Sequence, residues 1–256
     1  MLKKNSNIIN GTSLQGFAHI DDDIPCQDAH AFLEKDDYYY LAIADGAGSA
    51  KLSHISSNYI VKEIIKKLSN SNISLTDNLE KLKFIFESLV NELVDNLLND
   101  YLKEEEIDKI SKRDFHTTLI VAIGNNEKGI IFHVGDGTAI VLEAQNFDNF
   151  HISKPENGEY ANETFFITMK NWEEHLRITN YDNTFDSIFL MSDGVTPFAT
   201  LNNCSEPSKD FLLPLLNFVK ENHGKDYINI INNTLSSDKV KKISSDDKTI
   251  LFLLKK

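Results

Sequence analysis

Three apolar runs in this sequence end close to the same dipeptide, Asp-Gly, and this repeated ending most constrains how the chain can fold. The runs are YYYLAIA, GIIFHV and SIFLM, and they lead into Asp45, Asp136 and Asp193. Short apolar runs of this kind predict buried strands. One Asp-Gly after a strand is most simply a turn. Three of them predict carboxylates at strand ends, where their oxygens suit a hard divalent cation.

The size and charge of the chain limit its class and partners. With 256 residues, the chain is long enough for one large domain, and we expect a single domain over residues 1–256. The formal net charge of −13 argues against nucleic acid or an anionic membrane surface as a partner. No apolar run approaches the roughly 20 residues that span a bilayer, and the first residues lack the apolar segment of a secretion signal. We therefore expect a cytoplasmic monomer with no membrane partner.

Hydrophobic periodicity predicts the order of the elements. Strands are expected at residues 13–20, 29–33, 38–45, 115–123, 129–134, 138–143, 164–168, 176–180, 187–193 and 250–254. Helices are expected at residues 52–68, 79–102 and 210–235. The strands at 115–143 predict an antiparallel meander, and the polar stretch 145–163 predicts a long loop. Strand runs with segregated helices indicate an α+β fold. Two mainly antiparallel sheets, each covered by a helix pair, would form a four-layer α-β-β-α sandwich.

Six short segments, spread over nearly the whole chain, carry a more specific pattern. They are CQDAHAF from Cys26, YLAIADGAGSA from Tyr40, HTTLIVAI from His116, FHVGDGTAIVL from Phe132, LMSDGV from Leu190 and DDKTILFL from Asp246. In this order they resemble the metal-dependent PP2C-type (PPM family) serine/threonine protein phosphatases. The ADGAGSA segment and PENGEYANETFF from Pro155 resemble a bacterial subgroup of that family.

The resemblance implies a β-sandwich with two Mn²⁺ or Mg²⁺ ions at one end, and a third, looser ion in many members. By motif position, the implied metal ligands are Asp28, Asp45, the Gly46 carbonyl, Asp193 and Asp246, with Asp136 at the third ion. Asp45 would bridge the two ions. Asp45, Asp193 and Asp246 would act in catalysis through a metal-activated water that attacks phosphoserine or phosphothreonine, with no covalent intermediate. The implied partner is a phosphoprotein substrate, opposing a serine/threonine kinase.

Three positions depart from the family pattern. Gln27 stands where many members have glutamate, Asp23 where eukaryotic members often have a phosphate-binding arginine, and Ala47 where they often have a histidine that is a candidate general acid. The leaving group therefore has no assigned proton donor. We expect His30, His54 and His116 to be structural or surface residues, and Thr117 and Thr118 to pack near the site. Specificity is expected from residues 145–163 and the segment after Asp193.

Two other functions fit parts of the sequence. A haloacid-dehalogenase-type phosphatase also has Asp-Gly motifs, but it needs an aspartate pair spaced DxD at a strand end. Ile43 and Met191 stand two residues before Asp45 and Asp193, so that pair is missing. The second alternative is a catalytically inactive PP2C-fold module used for regulation or binding, which the three departures favour. The complete set of aspartates favours an active enzyme.

Overall fold

The computed structural model describes residues 7–71, 73–102, 110–158, 164–221 and 227–255. The strands are β1 (Ile8–Leu14), β2 (Ala29–Lys35), β3 (Tyr38–Ala44), β4 (Leu119–Gly124), β5 (Lys128–Val134), β6 (Thr138–Glu143), β7 (Asn146–Ser153), β8 (Arg177–Asp182), β9 (Ser187–Met191), β10 (Thr200–Leu201), β11 (Glu206–Pro207) and β12 (Lys248–Leu254). The helices are α1 (Phe17–Asp21), α2 (Ser53–Asn70), α3 (Leu79–Leu102), α4 (Thr196–Ala199), α5 (Lys209–Glu221), α6 (Tyr227–Leu235) and α7 (Asp238–Lys241).

Two five-stranded antiparallel sheets form the centre of the molecule. The first sheet has the order β1-β12-β9-β6-β7, and the second has the order β2-β3-β4-β5-β8. Helices α2 and α3 pack on the second sheet, and α5 and α6 pack on the first. The predicted α+β sandwich of four layers is confirmed.

Three apolar layers hold the sandwich together. Side chains alternate along a strand, so β3 sends Tyr40 and Ala42 toward α2 and α3, and Leu41 and Ile43 toward the other sheet. Strand β9 divides in the same way between the inter-sheet layer and the layer under α5 and α6. Burial on both faces explains why these strands are apolar at nearly every position.

The antiparallel register gathers several strand ends at one end of the sandwich. Ala44 at the end of β3 pairs with Ala29 at the start of β2. Met191 at the end of β9 pairs with Thr138 of β6 on one side and Ile250 of β12 on the other. The residues that follow β3 and β9 therefore lie beside those that precede β2, β6 and β12, and these are the positions of the predicted aspartates.

Two of the predicted strands are wrong and one predicted loop contains a strand. Residues 13–20 divide between the end of β1 and helix α1, which are separated by Gln15 and Gly16. Residues 164–168 form a turn with an isolated bridge from Thr164 to Asn157. The predicted loop at 145–163 contains β7, an edge strand whose partly exposed side chains make its sequence polar; residues 159–163 lie outside the described ranges.

The predicted meander at 115–143 is also wrong. Strand β6 pairs with β7 and β9 in the first sheet, although β5 belongs to the second. The chain crosses between the sheets at residues 135–137, where Gly135 has φ +115°, a conformation that side-chain-bearing residues rarely adopt. The helical region predicted at 210–235 is two helices, α5 and α6.

The inter-sheet layer predicts a large cost for truncating Leu251, which is fully buried between the sheets. We expect Leu251→Ala to lower the free energy of unfolding by about 2–5 kcal/mol, because it removes buried apolar surface and leaves a cavity. Urea denaturation measures the change. Leu201→Ala, at a half-exposed leucine of β10, is the matched control and should cost well under half as much. Equal losses for the two variants would contradict the layered core.

Candidate metal centre

A cavity of about 530 Å³ opens at the end of the sandwich where the aspartates lie. Its lining includes Gly46 and four aspartates, Asp45, Asp136, Asp193 and Asp246. Asp45 comes from the second sheet, and Asp193 and Asp246 come from the first. The structure thus brings five of the six predicted metal-site residues to one cavity, from parts of the sequence 200 residues apart.

Asp28, the sixth predicted residue, is buried behind this cavity. Its side chain is 3% exposed, and its Oδ2 accepts a hydrogen bond of 2.7 Å from Ser192 Oγ. Its Oδ1 is buried without a hydrogen-bond partner among the described residues. Asp28 repels the carboxylates of Asp45 and Asp193, so it is close enough to belong to the same charged group.

Two threonines fix the backbone of Asp45. The Asp45 N–H donates to Thr118 Oγ1 at 3.0 Å, and the Thr117 hydroxyl donates to the Asp45 carbonyl at 3.0 Å. Thr118 also lines the cavity. The expectation that these threonines pack near the site is met, because they hold the strand end that presents Asp45.

The crossover between the sheets carries Asp136 and is fixed by side chains from two other segments. The Thr164 hydroxyl donates to Asp136 Oδ2. Arg177 of β8 donates from Nη2 to the Gly135 carbonyl at 2.6 Å and pairs through Nη1 with Glu156. Asp136 is therefore tied both to the segment after β7 and to the edge of the second sheet.

The turn that carries Asp246 is held by its neighbour Asp247, which is 2% exposed. Asp247 accepts backbone hydrogen bonds of 2.6 Å from Gly16 at Oδ1 and from Gln27 at Oδ2. Gly194, behind Asp193, lies so close to this turn that a Cβ would collide with the Asp247 carbonyl. Only glycine allows the two aspartate-bearing segments to approach this closely.

The aspartates strongly perturb one another. Burial, and then repulsion by Asp136 and Asp246, raise the pKa of Asp193 to about 7. Burial followed by the charges of neighbouring aspartates raises the pKa of Asp45 well above its usual value, and the pKa values of Asp28 and Asp136 are also raised, mainly by burial. Lys248 lies nearby, and its Nζ donates to the Asp246 carbonyl at 2.6 Å.

This donor set fits a hard divalent cation. The cluster consists of oxygen donors, and Asp28 Oδ1 and Asp193 Oδ1 are buried without a hydrogen-bond partner in the described part of the chain. Within the same residues, no three His, Cys, Asp or Glu side chains are arranged to hold one ion by themselves. The carboxylates instead surround a cavity, which suits ions such as Mg²⁺ that keep several of their waters.

The other residues singled out in the sequence have varied surroundings. Ala47 lines the cavity, Gln27 is buried beside it, and Asp23 is exposed with φ 56° and is not among the lining residues. His30 Nδ1 lies 2.8 Å from Ser13 Oγ, and His116 Nδ1 lies 2.6 Å from Thr168 Oγ1.

Sequence reasoning missed His19, which lines the cavity, and it missed Asp247 and Ser192, whose hydrogen bonds help to hold the segments around Asp246 and Asp28. The acidic pair Asp246-Asp247 was visible in the sequence. Only the tertiary contacts show that its second member is the buried one.

The raised pKa values predict how pH changes the stability of the metal-free protein. An aspartate of the unfolded chain has a pKa of about 3.9, and that of Asp193 in the folded protein is about 7. The folded state therefore binds more protons between these pH values. The stability that Asp193 contributes is thus fully present below about pH 4 and is lost as pH rises to about 7.

We expect Mn²⁺ to reverse this loss, because the cation replaces the protons among the carboxylates. At a hundredfold excess over Kd the gain is about 2.7 kcal/mol, or roughly 5–11 °C in Tm. Thermal melts at pH 5 and pH 8, with and without Mn²⁺, measure it. A rise in Tm of the same size at both values of pH would contradict metal binding by these carboxylates.

Comparisons with known proteins agree with the fold and the motifs. The sequence model of the Protein phosphatase 2C family matches residues 15–235. Serine/threonine-protein phosphatase 3 of Escherichia coli (strain K12) is 26% identical over 254 residues, 94% of this chain and 96% of that protein. The serine/threonine phosphatase Stp1 from Staphylococcus aureus shares the fold, with a TM-score of 0.66 at 14% identity over 100% of this chain and 98% of that one.

A second solved structure, of a bacterial serine phosphatase, has a TM-score of 0.66 at 13% identity and covers 98% of each chain. At these identities the two solved structures show the fold alone. The family match extends over most of the sequence and includes all the predicted site residues except Asp246. The resemblance seen in the six motifs is confirmed, and the chain belongs to the protein phosphatase 2C family.

Proposed function

We propose that this protein is a metal-dependent protein-serine/threonine phosphatase. The observation that carries the proposal is the convergence of Asp45, Asp136, Asp193 and Asp246 on one cavity, in a chain of the protein phosphatase 2C family. The name of the Escherichia coli relative supports the choice of substrate class. The fold alone would not, since one fold supports many functions.

Asp28, Asp45, the Gly46 carbonyl, Asp193 and Asp246 would hold two Mn²⁺ or Mg²⁺ ions, and Asp136 would contribute to a third, weaker site. Such ions supply positive charge for phosphate oxygens and make water a stronger acid. Asp28 Oδ1 and Asp193 Oδ1 have no hydrogen-bond partner in the described ranges, and this supports their assignment as ligands. Gln27 Oε1 is buried without a hydrogen-bond partner among the described residues, so its amide oxygen would be a further donor at the Asp28 side.

The protein's own contribution is to hold the carboxylates in place against their repulsion. Thr117 and Thr118 fix the backbone of Asp45, Ser192 fixes the carboxylate of Asp28, and Thr164 fixes that of Asp136. Because these groups sit on strand ends or short turns, little rearrangement is needed when the substrate binds, which is the condition for electrostatic catalysis. No side chain is required as a nucleophile.

The cavity suits a phosphorylated side chain that projects from a protein surface. Ser49 and Ser245 lie in the lining and are exposed, so polar groups face an arriving phosphate. The proposed substrate is therefore a phosphoprotein modified by a serine/threonine kinase. Residues 145–158 and the segment after Asp193 remain the predicted source of specificity; residues 159–163 of the predicted loop lie outside the described part.

Wider features of the proposal follow from the sequence. We propose one phosphatase domain over residues 1–256, acting as a monomer in the cytoplasm without nucleic acid or membrane partners. The family match over residues 15–235 supports one phosphatase domain, and the net charge of −13 argues against a nucleic acid partner. None of the helices in the described ranges has the length and apolar character needed to cross a membrane.

The proposal predicts Mn²⁺-dependent hydrolysis of p-nitrophenyl phosphate and of a phosphothreonine peptide. Asp45→Asn should lower kcat/KM by more than about 100-fold, because replacing even an outer-shell partner of a metal commonly costs 10–100-fold in affinity or activity. Asp95→Asn, at an exposed aspartate of α3, is the matched control and should keep full activity. Activity that persists without metal and in Asp45→Asn would rule out the proposal.

Calorimetric titration with Mn²⁺ tests the ligands separately from turnover. Asp193→Asn and Asp246→Asn should weaken binding while leaving the circular dichroism spectrum unchanged, because each removes a charged donor from the cavity. Binding equal to wild type in either variant would refute that residue's assignment. Tight Mn²⁺ binding with no turnover of either substrate would instead identify the chain as an inactive regulatory or binding module.

A further inference from the structure

The cavity contains one basic side chain among its lining residues, and that side chain is His19 of α1. The other polar side chains in the lining are the four aspartates and the hydroxyls of serine and threonine residues. A seryl or threonyl oxygen that leaves a phosphate needs a proton, and imidazole is the side chain that most often supplies one. His19 is therefore a candidate for the proton donor that the sequence analysis left unassigned.

Contacts of Gly16 and Ala18 hold the start of α1, which carries His19, against the turn that carries Asp246 and Asp247. The Ala18 N–H donates to the Ser245 carbonyl at 3.1 Å, and the Gly16 N–H donates to Asp247 Oδ1 at 2.6 Å. Gly16 lies so close to this turn that a Cβ would collide with Ser245 and Asp246. Helix α1 is short, but three backbone constraints fix where it begins.

A buried carboxylate accompanies the ring. His19 Nδ1 lies 2.9 Å from Asp247 Oδ1, which is within ion-pair distance. The N–H does not point at the oxygen, so Nδ1 makes no aligned hydrogen bond. The last torsion of a histidine side chain has a broad minimum, so a small rotation of the ring would align the two groups. Asp247 is held by two backbone donors, so the ring is the part that adjusts.

The exposed part of the His19 ring belongs to the cavity lining. The His19 side chain is 13% exposed, while its Nδ1 is buried. Of the two ring nitrogens, Nδ1 is the one that is buried without a hydrogen-bond partner among the described residues. One nitrogen thus contacts a fixed carboxylate, and the other is accessible to a molecule in the cavity. This is the arrangement that orients a histidine for proton transfer.

We propose that His19 is the catalytic proton donor to the leaving oxygen, with Asp247 as its positioning residue. The assignment rests on the proposed function. As the oxygen of the attacking water bonds to phosphorus, the bond from phosphorus to the seryl or threonyl oxygen breaks and its electron pair stays on that oxygen. The proton on His19 Nε2 passes to this oxygen, giving a free hydroxyl. The attacking water releases one of its protons to solvent as its oxygen becomes part of the phosphate, and the neutral ring takes up one proton from solvent.

Two substrates with different leaving groups test this role. p-Nitrophenolate departs as a stable anion, whereas the alkoxide of threonine needs protonation. We expect His19→Asn to lower kcat for a phosphothreonine peptide by about 10²–10³-fold, within the range for general acid catalysis. Its kcat for p-nitrophenyl phosphate should stay within about fivefold of wild type. His151→Asn, at an exposed histidine of β7, is the matched control and should change neither rate.

A variant of the positioning residue separates orientation from folding. Asp247→Asn keeps the size of the side chain and one acceptor oxygen, and it should show the same selectivity for the peptide, with a smaller loss. Mn²⁺ titration and circular dichroism of His19→Asn should match wild type. Asp247→Asn also loses one of the two backbone hydrogen bonds that hold the Asp246 turn, so its readout is the ratio of the two rates. A general weakening of the fold would reduce both substrates together, so the ratio of the two rates reports on proton donation.

The outcomes are distinct. Equal losses on both substrates in His19→Asn, or no loss on either, would overturn the assignment of His19. Weaker Mn²⁺ binding in His19→Asn would overturn it as well, by placing the residue in the metal site. If the wild-type protein hydrolyses neither substrate with Mn²⁺, the proposed function itself fails, and the role of His19 fails with it.

Discussion

Repulsion among buried carboxylates is the constraint on which the structure of this site depends. Asp28, Asp45, Asp136 and Asp193 each have a raised pKa because burial and neighbouring negative charges disfavour ionisation. Such a group would separate if it lay on flexible loops. Here it is fixed by strand register, by the hydroxyls of Thr117, Thr118, Thr164 and Ser192, and by close backbone contact at Gly194. The stability of the surrounding fold offsets the repulsion among the carboxylates, and a bound cation would reduce that repulsion.

The three apolar layers make this possible. Both sheets are covered on both faces, so the strands that carry the site are among the most deeply buried parts of the chain. Burying apolar surface stabilises the fold by about 25 cal/mol per Å², a term spread over dozens of side chains. The unfavourable charge interactions are confined to one end. A protein built this way can hold a destabilising site without losing its overall structure, as functional sites commonly require.

Local patterns predicted most of the sandwich and the aspartates at three strand ends, whereas the full set of metal-site residues came from the family resemblance. Strands buried on both faces are continuous apolar runs, and Asp45 and Asp193 follow such runs directly. The prediction errors occur where tertiary contacts, and not the local sequence pattern, determine the structure. The sequence of the edge strand β7 predicts a polar loop, because many of its side chains are at least partly exposed to solvent. The sequence around residues 135–137 predicts a hairpin, but β5 and β6 belong to different sheets. Sheet membership depends on pairings with distant strands, which the local sequence does not indicate. The contact of His19 with Asp247 joins residues 228 positions apart, which no local pattern indicates.

The crossover has a mechanical consequence. Asp136 belongs to neither ladder of strands, and it stands between β5 in one sheet and β6 in the other. Arg177 links the same short segment to Glu156 and to the second sheet. A cation that draws Asp136 toward Asp45 would therefore pull on a bridge between the two halves of the sandwich. Binding at the cavity would thus act directly on the segment that joins the two sheets.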